Sequence, residues 1–203
     1  MDGTLWDSAA QVAESWNETV KKAGYDREPI TVADMQGVMG KTMDVIARIF
    51  FPNLEEEERQ ALLVRCGEEE NEYLRKHGGV LYLGIRDTME ILKKKYHLYI
   101  VSNCQSGYIE AFLDYYKLND LIEDIECYGN NEKSKGENIA LLYQRNGLDQ
   151  AAYVGDIQGD YDSSMEAGVG FIHAAYGFGT INVPVPEIHR FHDLIKIADE
   201  VLC

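Results

Sequence analysis

The sequence predicts an α/β protein, a parallel, doubly wound sheet with an inserted helical block. Three observations predict it. From about residue 80 onward, short apolar strands alternate with amphipathic helices, the spacing of βαβ units. Between Arg27 and Gly79 no strand pattern occurs, and the apolar spacing is helical. The most sharply marked strand, Ala151-Ala152-Tyr153-Val154, stops at Gly155-Asp156, with Asp160 one turn later. Acid therefore stands just outside the carboxyl end of a strand, where open α/β sheets bind ligands.

Composition sets the bounds. The chain has 203 residues, 45% of them apolar, enough for one mid-sized domain or a domain with a small insertion. A formal net charge of −16 repels phosphate backbones, which argues against nucleic acid and anionic membrane as partners. A small anionic substrate then needs particular lysines inside its pocket. Cys66, Cys104, Cys127 and Cys203 show no metal-ligand or CxxC spacing and are read as free thiols of a cytoplasmic protein. No apolar run approaches membrane-spanning length, and the first residues carry no basic-then-apolar leader pattern. The acidic runs Glu55–Glu58 and Glu68–Glu70 are read as solvated helix faces. His77, His173, His189 and His192 show no ligand spacing.

The elements follow in order. Ser8-Ala9-Ala10-Gln11 has the form of a capping box, opening a helix that runs towards Gly24 with Val12, Trp16 and Val20 on one face. Thr42 to Phe51 is a second helix, broken by Pro52-Asn53. Leu54 to Lys76 is a longer third, ended by His77-Gly78-Gly79. Residues 27–79 thus form a helical cap, with residues 1–26 and 80–203 as the core domain. Arg86 to Lys95 reads as helix, His97 to Val101 as strand and Tyr108 to Tyr116 as helix. Ile122 to Tyr128 holds a short strand. Ser134-Lys135-Gly136-Glu137 is another capping box, opening a helix that stops at Gly147. The strand at Ala151–Asp156, a helix ending near Gly168, the strand Gly170–Tyr176 and a tail helix from Asp193 to Leu202 complete the pattern.

Met1-Asp2-Gly3-Thr4-Leu5, together with Gly155, Asp156 and Asp160, resembles the haloacid dehalogenase (HAD) superfamily of phosphohydrolases. Within it the chain looks most like the phosphoglycolate-phosphatase-like branch with a helical cap. The family's first motif is Asp-x-Asp-Gly-Thr, in which Met1 fills x and Asp2 the second Asp. The apolar strand Leu98-Tyr99-Ile100-Val101 ending in Ser102-Asn103 matches the second motif, Lys135 the third, and Gly155-Asp156 with Asp160 the fourth. The first and fourth are specific, while the second and third are weak in isolation.

The resemblance implies a Mg²⁺-dependent phosphatase that works through an aspartyl-phosphate on a small phosphorylated metabolite, as a monomer or homodimer. Asp2 is then the general acid and base, and its backbone carbonyl a metal ligand. Ser102 holds the phosphoryl group, and Lys135 balances its charge. Asp156 binds the metal directly, and Asp160 directly or through water. Thr4 and Asn103 join the substrate site. Lys41, beside Gly37 and Gly40, either meets the substrate's distal anion or is a solvated helix-start lysine. The same motifs serve a phosphomutase. A catalytically inactive binding protein is the alternative from another class.

In the family pattern the nucleophile precedes the residue matched by Met1, and a central apolar strand leads into it. The resemblance therefore implies that the first core strand and the attacking Asp are missing from this sequence. Either the protein starts upstream, or the chain survives as a non-catalytic form whose gap another segment fills. Protein made from Met1 alone is then expected to be inactive.

Overall fold

A computed structural model describes residues 1–202; the reading of Cys203 lies outside the described residues. The chain opens with strand β1 (Trp6–Asp7) and helix α1 (Ala9–Lys22). Helices α2 (Val32–Gln36), α3 (Met43–Phe50) and α4 (Glu56–His77) follow with no strand among them. Strand β2 (Val80–Leu81) pairs antiparallel with β1. Then come α5 (Ile85–Leu92), β3 (Tyr99–Ser102), α6 (Tyr108–Tyr116), β4 (Asp124–Cys127) and the single turn α7 (Tyr128–Asn131). Helix α8 (Lys135–Arg145), β5 (Ala152–Gly155), α9 (Gln158–Ala167) and β6 (Gly170–Ala174) complete the βαβ part. The chain closes with β7 (Glu187–Ile188), a 3₁₀ turn and α10 (Leu194–Val201).

The strands from β3 onward pair in parallel, in two pieces: β3 with β4, and β5 with β6 and then β7. Strand residues alternate between two apolar layers. Tyr99, Val101 and Tyr153 face Ile139 and Leu142 of α8, while Ile100 and Val154 join the larger core with Met89 of α5 and Leu194 of α10. Helices thus cover both faces, and the predicted doubly wound α/β class is the observed one. Its parallel sheet, however, is interrupted between β3 and β5. The N-terminal strand does not fill that gap: Asp2 makes only an isolated bridge to Trp6, and β1 lies against β2 instead.

Local chemistry explains the element starts and stops. The Ser134–Glu137 capping box forms in both directions, with the Glu137 amide on the Ser134 hydroxyl and the Ser134 amide on the Glu137 carboxylate. The expected box at Ser8 does not form. Asp7 accepts the Ala9 amide at 2.9 Å, and the Ser8 hydroxyl turns away to Asp2. Helix α2, which the sequence reading left without an element, is fixed by a reciprocal Thr31–Asp34 box. Helix α5 ends at Leu92, so the lysines Lys93–Lys95 form the turn beyond it.

Trp6 is fully buried, with its ring edge-on to Tyr108, Phe112 and Tyr116 of α6. Trp16 of α1 stacks on Phe51 after α3, which ties the helical block to the first helix. Helix α4 packs along both α1 and α6. The acidic run on α4 is only partly solvated. Glu68 and Glu69 are exposed, but Glu70 faces inward at 3% exposure and accepts the Trp16 indole N–H.

Candidate active site

The carboxyl ends of β3 and β5, the start of α8 and the turn at Asp2 converge on one cleft of about 50 Å³. Asp2, Ser102, Lys135, Asp156 and Asp160 line it, with Asn103 at its side and Lys41 at its edge. Each sits where a strand or helix end leaves backbone and side chain free to face a ligand.

Asp156 is 3% exposed. Its Oδ1 accepts the Thr4 hydroxyl at 3.1 Å, and its Oδ2 accepts the Phe178 amide at 2.9 Å. Gly3 makes this approach possible: it has φ +75°, and a Cβ there would lie 2.0 Å from Asp156 Oδ2. Burial pushes the Asp156 carboxyl above its ordinary value; the Met1 amino group pulls it down, and Asp160 pushes it further up. Each carboxylate oxygen accepts one hydrogen bond and keeps an open lone pair.

Asp160 is fully engaged. Its Oδ1 lies 2.5 Å from Lys135 Nζ, and its Oδ2 accepts the Asp156 and Ile157 amides at 3.0 and 3.3 Å. Burial alone raises this carboxyl, but the Lys135 ammonium outweighs burial and holds it below its ordinary value. Burial lowers Lys135, yet Asp160 reverses the balance, and the ammonium stays charged well beyond neutral pH.

Asp2 meets two hydroxyls that the sequence reading did not connect with it. Ser8 Oγ and Tyr108 Oη each lie 2.7 Å from Asp2 Oδ1, and 2.7 Å from one another. Two protons serve three contacts, so at least one hydroxyl always donates to Asp2. Tyr108 was legible only as a helix start, and Ser8 only as a cap.

Ser102 is buried at the end of β3. Asn103 donates to the Gly40 carbonyl at 2.9 Å, which ties the loop carrying Lys41 to the sheet, and its buried Oδ1 has no partner among the described residues. Lys41 is exposed. Thr4 is turned onto Asp156, with its carbonyl taking the Tyr176 hydroxyl at 2.7 Å. Glu70 also lines the cleft. Burial drives its carboxyl up to about 7, against the lowering effect of the Trp16 and Gln105 hydrogen bonds.

The donor set suits a hard cation. Among the described residues, no three acid, histidine or cysteine groups converge into an all-protein cage. Mg²⁺ needs none, because it keeps several waters and uses one or two carboxylates. Asp156, buried with open lone pairs and without a full counter-charge, fits that requirement.

The family model of the haloacid dehalogenase-like hydrolases matches residues 1–174. The chain belongs to this family. Its membership covers the elements from Asp2 through β6 that build the cleft. A phosphoglycolate phosphatase from Aquifex aeolicus (strain VF5) is 26% identical over 209 residues, spanning 98% of this chain and 94% of that protein. The fold superposes on that of a predicted phosphoglycolate phosphatase from Haemophilus somnus 129PT with a TM-score of 0.82, at 23% identity, covering 98% and 95% of the two chains. It also superposes on CbbY from Rhodobacter sphaeroides, solved with phosphate, with a TM-score of 0.80 at 16% identity, covering 96% and 93%. The cysteines Cys66, Cys104 and Cys127 are free and buried, and no helix among the described residues is long and apolar enough to cross a membrane.

Proposed function

We propose that this hydrolase is a Mg²⁺-dependent phosphatase acting on a small phosphomonoester through an aspartyl-phosphate. The observation that carries the reading is the convergence of Asp2, Ser102, Lys135 and Asp156 at the carboxyl ends of parallel strands. The attacking carboxylate is assigned to the residue joined to the amino group of Met1.

Asp156 and the Asp2 backbone carbonyl are the proposed metal ligands, with Asp160 reached directly or through water. When bound, Mg²⁺ supplies positive charge against the phosphoryl oxygens. Asp2 gives a proton to the leaving oxygen and later takes one from the attacking water. With Oδ1 held by Ser8 and Tyr108, its other oxygen is left for that task. General acid–base catalysis of this kind contributes roughly 10²–10⁴-fold. Ser102 donates its hydroxyl to a phosphoryl oxygen, and Lys135 offers its remaining N–H bonds as a compact positive charge. The unpaired Asn103 Oδ1 accepts a hydrogen bond from the substrate.

Residues 27–79 act as the cap in this reading, and Lys41 at the cleft edge meets the substrate's distal group. The name of the Aquifex aeolicus relative favours a small phosphorylated acid as substrate. A cytoplasmic setting and a monomer or homodimer fit an acidic chain with free thiols.

Calorimetric Mg²⁺ titration of Asp156→Asn against the parent tests the metal reading. The amide keeps the shape and loses the charge, so affinity is expected to fall roughly tenfold or more. Unchanged affinity would remove Asp156 from the metal site.

A further inference from the structure

Glu70 is a buried acid that the chemistry proposed above does not use. Its neighbours on α4, Glu69 and Glu72, reach Lys22 and Arg75 at the surface. Glu70 turns inward at 3% exposure and lines the cleft, where no lysine or arginine pairs with it among the described residues. The Trp16 indole N–H donates to its Oε2. Gln105, whose amide also donates to Asn71 Oδ1 at 3.0 Å, is a second donor to the carboxylate. A carboxylate accepts up to about four hydrogen bonds, so acceptor capacity is left over. Holding such a group out of water without a counter-charge is costly unless something donates to it.

Electrostatics place Glu70 beside Asp2. The Asp2 charge acts on Glu70, and both acids act on the Tyr108 hydroxyl, which holds Asp2 Oδ1 at 2.7 Å. Asp2 is the group assigned above to the leaving oxygen. Glu70 therefore stands where the alcohol half of an ester would lie, and in this the inference rests on the phosphatase reading. The wall around it is apolar, with Trp16, Met35, Met39 and Ile46. Of residues 27–79 that line the cleft, Lys41 and Glu70 are the charged ones, and their signs are opposite.

We infer that Glu70 is a specificity residue, accepting a hydrogen bond from a hydroxyl or ammonium group on the carbon skeleton of the substrate. A cleft of about 50 Å³ holds only a short skeleton, so the donor sits close to the ester. Lys41 at the edge remains for an acid group. Together the two narrow the small phosphorylated acid to one that also carries a donor, a phosphorylated hydroxy acid or amino acid. A substrate that turns a bare methylene or a carboxylate towards Glu70 leaves the buried carboxylate unpaired. Sites built around a polar partner discriminate strongly against analogues that lack it. Glu70 transfers no proton in this role; it reads the substrate without touching the reacting atoms.

Calorimetric titration of the full chain with Mg²⁺ present tests this through binding, which needs no turnover. The ligands are O-phosphoserine, 3-phosphoglycerate and 3-phosphooxypropanoate, which carry an ammonium, a hydroxyl or a hydrogen at the same carbon, with inorganic phosphate as the reference. The parent is expected to bind at least one donor ligand about tenfold or more tighter than the propanoate, and the tighter of the two identifies the donor. Glu70→Ala is expected to bring all three to within about twofold of one another. Glu70→Gln keeps an acceptor oxygen without the charge, so it is expected to retain a preference for the hydroxyl and to lose one for the ammonium. Thermal unfolding checks that each variant is folded, and Glu70→Gln decides if the alanine variant is not. Equal affinities in the parent, or a preference that Glu70→Ala keeps or an ammonium preference that Glu70→Gln keeps, overturns the role of Glu70 and leaves the phosphatase reading standing. Failure of phosphate and of all three esters to bind removes the phosphatase reading and this inference with it.

Discussion

Lys135 Nζ stands 2.5 Å from Asp160 Oδ1, and each side chain is only 6% exposed. The pair fastens the start of α8 to α9, directly beneath the cleft. Both oxygens of Asp160 are used, one by the ammonium and the other by two backbone amides. An amide at this position must turn its NH₂ group towards one or the other donor. Asp160→Asn is therefore predicted to destabilise the fold by about 3–5 kcal/mol, the range for stranding one member of a buried pair. Urea unfolding of the variant against the parent measures it. Because the Asp160 carboxyl lies below its ordinary value, its contribution is present above about pH 4 and fades as pH falls further, and the variant's deficit should shrink with it.

Glu70 gives the opposite pH dependence. Its carboxyl is pushed from an ordinary 4.5 up to about 7, so the fold favours the protonated form. Stability from this group is complete below about pH 4.5 and is lost as pH rises through about 7. Glu70→Gln mimics the neutral form. In metal-free buffer the variant is predicted to exceed the parent at pH 8 by on the order of 2 kcal/mol, and to match it at pH 4. Chemical denaturation at the two pH values decides this. Parallel pH profiles for the two proteins would mean that the Glu70 charge costs the fold nothing.

In the proposed mechanism Tyr108 acts through Asp2, whose Oδ1 it holds at 2.7 Å. In an active form of the enzyme, Tyr108→Phe is predicted to lower kcat about tenfold with KM little changed, because Asp2, the proposed general acid, loses a fixed orientation. Ser8→Ala should act in the same direction, and the double variant should lose less than the product of the two, since the hydroxyls share one carboxylate oxygen. A rise in KM with kcat intact would place Tyr108 in binding instead.

Much of this was legible in the sequence. The strands at Tyr99–Ser102 and Ala152–Gly155 are apolar runs closed by polar residues, and they lie within two residues of where the pattern puts them. The Ser134–Glu137 box was readable because both partners lie within one turn. Ser8 shows the limit of such local reading. Its hydroxyl finds Asp2 and Tyr108, a residue 100 positions away, and the cap passes to Asp7. Glu70 looked solvated because Glu68 and Glu69 beside it are; which residue of an acidic run turns inward depends on Trp16, on another helix. The pairing of β1 with β2 and the Tyr153–Val101 bridge between the two pieces of the sheet join residues far apart in sequence and required the fold.

The most direct test is phosphate release from an aryl phosphate ester by two extended proteins. Both carry an added apolar segment, Val-Ile-Phe-Val-Phe, before Met1, closed by Asp in one and by Asn in the other, and each is assayed with Mg²⁺ and with a chelator. Only the Asp form with Mg²⁺ is predicted to turn over, by roughly three or more orders of magnitude above the other combinations. Comparable metal-dependent turnover by the Asn form, or by the unextended chain and abolished there by Asp2→Asn, would contradict the account and move the nucleophile elsewhere.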